Sequence, residues 1–190
     1  MDRTALLPLA VLAVLAASAL VHDVLFRRIP NTLVLAGMAL GFLFQACAPD
    51  GTGLFSGGAG QGPVAALLGA LTGLALFLPF YVLRVMGAGD VKLLAMIGVW
   101  FGPAEVAWAA LWTLLAGGVL SIVAALVTGS LKRVLVNLYV MLLSRTLMPV
   151  AGAGQTAGET AAGATATGRL PYALAIVIGM VVSLVRMHLG

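Results

Sequence analysis

The sequence predicts an all-α fold: a polytopic membrane helical bundle of about six transmembrane helices, with one further helix lying in the cytoplasmic interface. Of its 190 residues, 62% are hydrophobic and only 8% are charged, and the mean hydropathy is +1.15. Soluble domains are typically about 25% charged, so this composition excludes an ordinary soluble enzyme, a disordered regulator and a nucleic-acid-binding module. Since a span needs about 20 apolar residues, six spans would use roughly 120, close to the apolar fraction observed.

The spans are predicted within a single integral-membrane domain covering residues 1–190. A helix is expected for each apolar run, because backbone polar groups in lipid must be satisfied within the segment. A cleaved signal peptide is the alternative for the first run, but Asp2 beside Arg3 leaves no excess of positive charge before that run, and the double arginine at 27–28 follows it. The runs are about 5–22, 32–48, 63–83, 86–102, 106–128 and 170–186.

Two further segments precede the last span. Residues 130–148 carry three cations, and five of their polar side chains share one helical arc, which predicts a helix lying in the cytoplasmic interface. The five are Ser130, Arg133, Asn137, Ser144 and Arg145. Residues 151–168 contain only Ala, Gly, Thr, one Gln and one Glu, which is typical of a mobile loop.

The basic residues orient the predicted spans. If alternate loops lie on one side, eight cations fall together and only Arg3 and Arg186 fall on the other side. This asymmetry predicts an N-terminus outside and a cytoplasmic stretch at 129–169. The eight are Arg27, Arg28, Arg84, Lys92, Lys132, Arg133, Arg145 and Arg169.

Two of the six acidic residues, Asp23 and Asp90, lie at membrane depth. Asp23 precedes Arg27 by four residues, which puts it about 6 Å deeper than that cation in a helix. The apolar run after Lys92 is too short to span, so the fourth helix must begin before Asp90. Both acids are thus expected at the cytoplasmic ends of helices. A capping or interfacial carboxylate paired with a nearby cation is the alternative for each one alone.

A close pair of carboxylates suits aspartyl proteolysis. Two such groups cannot both ionise, so one holds a proton while the other accepts a proton from the attacking water. This chemistry needs no metal or cofactor. With Cys47 as the only cysteine and with two histidines, the sequence also provides no internal disulfide and no zinc-ligand pattern.

The residues around each acid fit such a site. Gly87 and Gly89 remove side chains beside Asp90, either to admit a substrate backbone or to permit a positive φ; close helix packing is the alternative. Pro30 pushes Ile29 out of helical geometry, and Asn31 is expected to cap the second span.

The stretches from Asp23 to Asn31 and from Gly87 to Leu93 together resemble the type IV prepilin peptidase family. In that family an Asp precedes an I-P-N turn, and a second Asp lies in a G-x-G-D-x-K-L motif; Gly168–Ala173 resembles the third signature, P-Y-A. The resemblance implies a GxGD membrane aspartyl endopeptidase of the bacterial cytoplasmic (inner) membrane, which removes the leader of type IV pilin-like precursors at the cytoplasmic face. Asp23 and Asp90 match its catalytic residues, and Lys92 matches the motif lysine, with a positioning or electrostatic role.

One departure from the family narrows the resemblance. Larger members carry two Cys-x-x-Cys pairs and also methylate the new N-terminus, whereas this chain has one cysteine and few residues between its first two spans. It is therefore similar to the short members that serve tight-adherence (Flp-type) pili, and methyltransferase activity is unsupported. The alternatives are a presenilin-like intramembrane protease, a proton-coupled transporter and a structural assembly subunit.

Overall fold

The computed structural model describes residues 3–26, 28–47, 62–83, 86–127, 129, 136 and 172–189. Within these ranges the chain forms six helices and no strand, which confirms the all-α class. The predicted loop at 151–168 lies outside the described residues, and so does the predicted interfacial helix at 130–148, apart from Val136. The helices are α1 (Arg3–Phe26), α2 (Asn31–Cys47), α3 (Pro63–Val82), α4 (Ala88–Phe101), α5 (Pro103–Val127) and α6 (Tyr172–Leu189).

Three of these helices are long and apolar enough to cross a membrane. They contain the segments Pro8–Phe26, Pro63–Val82 and Pro103–Val127, whose hydropathies are 2.2, 2.0 and 2.2. α2 and α6 hold shorter apolar segments, and α4 has only 14 residues. The chain is therefore a membrane protein, while the count of six spans stays a prediction.

α4 is the central helix of the unit formed by Met1–Gly117 and Pro171–Gly190. It contacts α1, α2, α3 and α6. Every residue of α4 from Asp90 to Phe101 is buried except Lys92. The other helices bury single stripes, such as Leu12, Ala16 and Ala19 on α1. The enclosure of α4 therefore holds Asp90, in its first turn, inside the helical packing.

Glycines bring α3 and α4 into backbone contact. A Cβ atom at Gly69 would overlap the carbonyl oxygen of Gly98, and a Cβ atom at Gly98 would overlap that of Gly69. One turn further along α3, a Cβ atom at Gly73 would lie 2.7 Å from the carbonyl oxygen of Leu94. This is the close approach that small residues at i and i+4 allow in membrane helices. The position of α4 relative to α3 is therefore fixed by contact between their backbones.

The ends of the helices define two ends of this unit. α1 ends, and α2, α4 and α6 begin, at what we call the aspartate end. At the opposite end Gln45 is buried in α2; its Oε1 accepts the Gly62 N–H at 3.2 Å, and its Nε2 lies 3.4 Å from the carbonyl oxygen of Val99. Glu105 and Arg186 form an ion pair of 3.0 Å at the same end.

The second unit, Gly118–Leu170, is described only in part. It contributes the last turns of α5, where Gly118 is exposed and a Cβ atom there would meet nothing within 4 Å. Gly129 follows with a positive φ of 63° and donates its N–H to the carbonyl oxygen of Leu126 at 3.1 Å. This bond ends the helix with a glycine in the left-handed conformation.

Candidate active site

Asp23 lies in the last turn of α1 and is half-buried. Its Oδ2 atom accepts a hydrogen bond from the backbone N–H of Ala173 at 3.3 Å, across 150 positions of sequence. Ala173 is the second residue of α6, where backbone N–H groups have no partner inside the helix. The start of α6 is therefore directed at Asp23, with the polarity that favours a carboxylate.

Asp90 lies in the first turn of α4 and is only 9% exposed. Its Oδ2 atom accepts the N–H of Gly87 at 3.2 Å, which fixes the carboxyl group against the start of its own helix. The carboxylates of Asp23 and Asp90 lie close enough to interact electrostatically. The structure thus brings together the two acids that the sequence singled out.

The turn between α1 and α2 packs against α4 on either side of Asp90. A Cβ atom at Gly89 would lie 3.4 Å from the Ile29 side chain. The Lys92 ammonium donates to Oδ1 of Asn31 at 3.0 Å. Asn31 was expected to cap α2, but it is the first residue of that helix and its side chain turns to α4. Pro30 takes the position before the helix, and its carbonyl oxygen accepts the N–H of Val34.

The structure also tests the expectation of a positive φ at the glycines before Asp90. Gly87 has φ −77° and ψ 151°, an extended conformation open to any residue. Gly89 is helical and is not among the described glycines with positive φ. The expectation of a positive φ is therefore wrong for both residues. A Cβ atom at Gly89 would meet the Ile29 side chain at 3.4 Å, an ordinary van der Waals contact, so the packing there leaves room for a Cβ atom.

Tyr172 and Ala173 belong to the site although the sequence did not assign them to it. Tyr172 is half-buried and lies close enough to Asp90 to interact with it electrostatically. A Cβ atom at Gly117 would lie 2.8 Å from the Tyr172 hydroxyl, so the ring packs directly on α5. The P-Y-A stretch was a signal for these two residues, but nothing in a single sequence shows which acid they approach.

No three His, Cys, Asp or Glu side chains of the described part of the chain could together hold a metal ion. The site there consists of two carboxylates, the end of α1, the starts of α2, α4 and α6, the Tyr172 side chain and one lysine–asparagine pair. It is polar at its centre, and the buried apolar core of α4 begins directly after Asp90.

Comparison with known proteins gives one match. The sequence model of the type IV leader peptidase family matches residues 10–122, more than half of the chain. The matched range includes both acids and the turn between α1 and α2, and it stops before α6. No match was found among the curated proteins or among the solved structures. The chain belongs to the type IV leader peptidase family.

Proposed function

We propose that this chain is a membrane aspartyl endopeptidase in which Asp23 and Asp90 form the catalytic pair. It cleaves the leader peptide of type IV pilin-like precursors. The observation that carries the proposal is the approach of two carboxylates from α1 and α4 in a chain with only six acidic residues. The family match supports leader peptidase chemistry independently of that geometry.

In the proposed mechanism the pair holds one proton. The ionised carboxylate removes a proton from a water molecule as the water oxygen attacks the scissile carbonyl carbon, while the protonated carboxyl donates to the carbonyl oxygen. The tetrahedral intermediate then collapses, the C–N bond breaks, and a proton passes to the leaving nitrogen. Both acids therefore have to be present, and the two exchange the roles of proton donor and proton acceptor during the cycle.

The backbone donors at the site support this mechanism by orienting the acids. Gly87 donates to Oδ2 of Asp90, and Ala173 donates to Oδ2 of Asp23. Each bond fixes one oxygen of a carboxyl group, and we assign the other oxygen of each group to water and substrate. Since each donor belongs to a helix end, the carboxyl groups are positioned before substrate arrives.

The charge pattern of the loops supports an active site facing the cytoplasm and an N-terminus outside, in a bacterial inner membrane. The short connection between α1 and α2, with no Cys-x-x-Cys pair, supports a Flp-type precursor as substrate. We propose that cleavage is not followed by N-methylation, which the mass of the processed N-terminus would report.

The test is cleavage of a co-expressed Flp-type pilin precursor, followed by gel shift. Wild type is compared with Asp23→Asn and Asp90→Asn, and Glu105→Gln is the matched control because it removes an acid at the opposite end. We expect processing by wild type and by the control, and none by either aspartate variant at normal abundance. An active Asp90→Asn protein would contradict the mechanism.

Two other outcomes would identify the alternatives. Cleavage within the apolar segment of the precursor, mapped by mass spectrometry, would indicate a presenilin-like protease. Proton flux in reconstituted vesicles, with no cleavage by well-expressed wild type, would indicate a transporter, because acids at membrane depth also mark ion pathways.

A further inference from the structure

The turn between α1 and α2 links the helix that carries Asp23 to the helix that carries Asp90, because it follows α1 in the chain and contacts α4. Asp23 lies six residues before Ile29 on one side of this turn, and α2 begins at Asn31 on the other. The turn makes two contacts with α4, from Ile29 to Gly89 and from Asn31 to Lys92.

The two contacts on α4 lie on one helical face. Gly89 and Lys92 are three residues apart, so they lie on the face of α4 that meets the turn. Asp90 lies between them along the helix. A shift of the turn relative to α4 would therefore move Asp23 relative to Asp90. No other polar side-chain contact between α2 and α4 is described at the aspartate end; the remaining ones involve Gln45 and Trp100.

We propose that the hydrogen bond between Lys92 and Asn31 is a positioning latch, which sets the separation of Asp23 and Asp90. This inference rests on the peptidase function proposed above. The Lys92 ammonium is held by the Asn31 carbonyl oxygen at 3.0 Å, so its role is to hold the turn and not to contact the reacting atoms.

The exposure of Lys92 and Asn31 separates this positioning role from a purely structural one. Both side chains are exposed, so the net contribution of their hydrogen bond to folding is small. A small displacement of a catalytic group, in contrast, reduces the rate strongly. Loss of the latch should thus lower kcat while leaving KM, abundance and thermal stability near those of wild type.

The first test is a double-mutant cycle in purified protein with a precursor peptide as substrate. We expect Lys92→Met and Asn31→Leu each to lower kcat by about ten- to a hundredfold, and the double variant to lower it no further, because both remove the same contact. Lys92→Arg should recover part of the loss. Thr32→Ala, an exposed neighbour outside the latch, is the control.

Additive losses in the double variant would overturn the proposal, since they would show that Lys92 and Asn31 act separately. A raised KM with unchanged kcat would overturn it too, because it would place Lys92 on the substrate.

The second test does not depend on peptidase activity. An ideal Cβ atom at Gly89 lies 3.4 Å from the Ile29 Cβ, near the separation of about 3.5–4.5 Å that a disulfide needs. In a Cys47→Ser background, Ile29→Cys with Gly89→Cys should therefore lose maleimide labelling on oxidation, while each single-cysteine variant stays labelled.

Cross-linking by a protein whose wild type cleaves no precursor would support the contact between turn and α4 and contradict only the proposed function. Persistent labelling after oxidation, with an active wild type, would overturn the latch and leave the function standing.

Discussion

Substitution of Gly98 by alanine tests whether the backbone contact between α3 and α4 fixes the central helix. The new Cβ atom would overlap the carbonyl oxygen of Gly69, which is backbone and cannot rotate away. The two helices would have to separate by roughly 1 Å to restore a normal carbon–oxygen contact. Gly98→Ala should consequently destabilise the protein and displace the helix that carries Asp90.

The magnitude follows from two opposing terms. Overpacking costs about 1–3 kcal/mol, and a backbone obstacle favours the upper part of that range. Alanine is better than glycine inside a helix by about 1 kcal/mol, which offsets part of the cost. The net loss is about 2 kcal/mol, or a Tm lower by about 4–8 °C for a protein of this size. A displacement of roughly 1 Å at the site should lower the cleavage rate by about a hundredfold.

The assay is thermal unfolding in detergent, followed by tryptophan fluorescence, beside precursor cleavage. Gly118→Ala is the matched control, because it makes the same change inside a helix where a Cβ atom meets nothing within 4 Å. Its Tm should equal or slightly exceed that of wild type. A Gly98→Ala protein as stable as the Gly118→Ala protein would refute the reasoning.

Three further predictions concern the proposed catalytic pair, Asp23 and Asp90, and the opposite end of the unit. The pH–rate profile should be bell-shaped, since cleavage needs one carboxyl protonated and one ionised. A cleavage rate that does not change with pH across both limbs would contradict catalysis by the two carboxyls. Gln45→Leu should lower stability by about 1 kcal/mol, measured as Tm, because the part-buried Gly62 N–H loses its acceptor on the buried Gln45 side chain; an unchanged Tm would show that water replaces that acceptor. Glu105→Gln should cost under about 1 kcal/mol, because its partner Arg186 is 38% exposed; a larger loss would show a stronger ion pair.

Most of the helical architecture followed from hydropathy. The six predicted runs coincide with the six described helices to within a few residues, because long apolar segments have few alternatives in lipid. The largest difference is four residues, at the end of α1, and the start of α4 differs by two, with residue 86 predicted and Ala88 found. That boundary depends on the hydrogen bond between Gly87 and Asp90, which a hydropathy pattern does not contain. The contact between Gly69 and Gly98 could not be predicted either, since a glycine in a sequence does not indicate which residue it packs against.

The candidate site was only partly predictable for a related reason. Asp23 and Asp90 could be singled out because acids are rare and costly at membrane depth. The long-range contacts of the site could not be predicted, because Ala173 lies 150 positions from Asp23 and Asn31 lies 61 positions from Lys92. Asn31 shows the limit most clearly: the local pattern predicts a cap, and the tertiary packing gives its side chain to Lys92 instead.

The enclosure of α4 affects how strongly the thickness of the bilayer acts on this helix. Its 14 residues rise about 21 Å, short of the hydrocarbon thickness of about 30 Å. A lipid-facing helix of that length would suffer hydrophobic mismatch and would tilt or thin the membrane around it. α4 is surrounded by other helices and meets little lipid, so changes in acyl-chain length act on the longer outer helices first. The helix that carries Asp90 is in this way insulated from the thickness of the membrane in which it works.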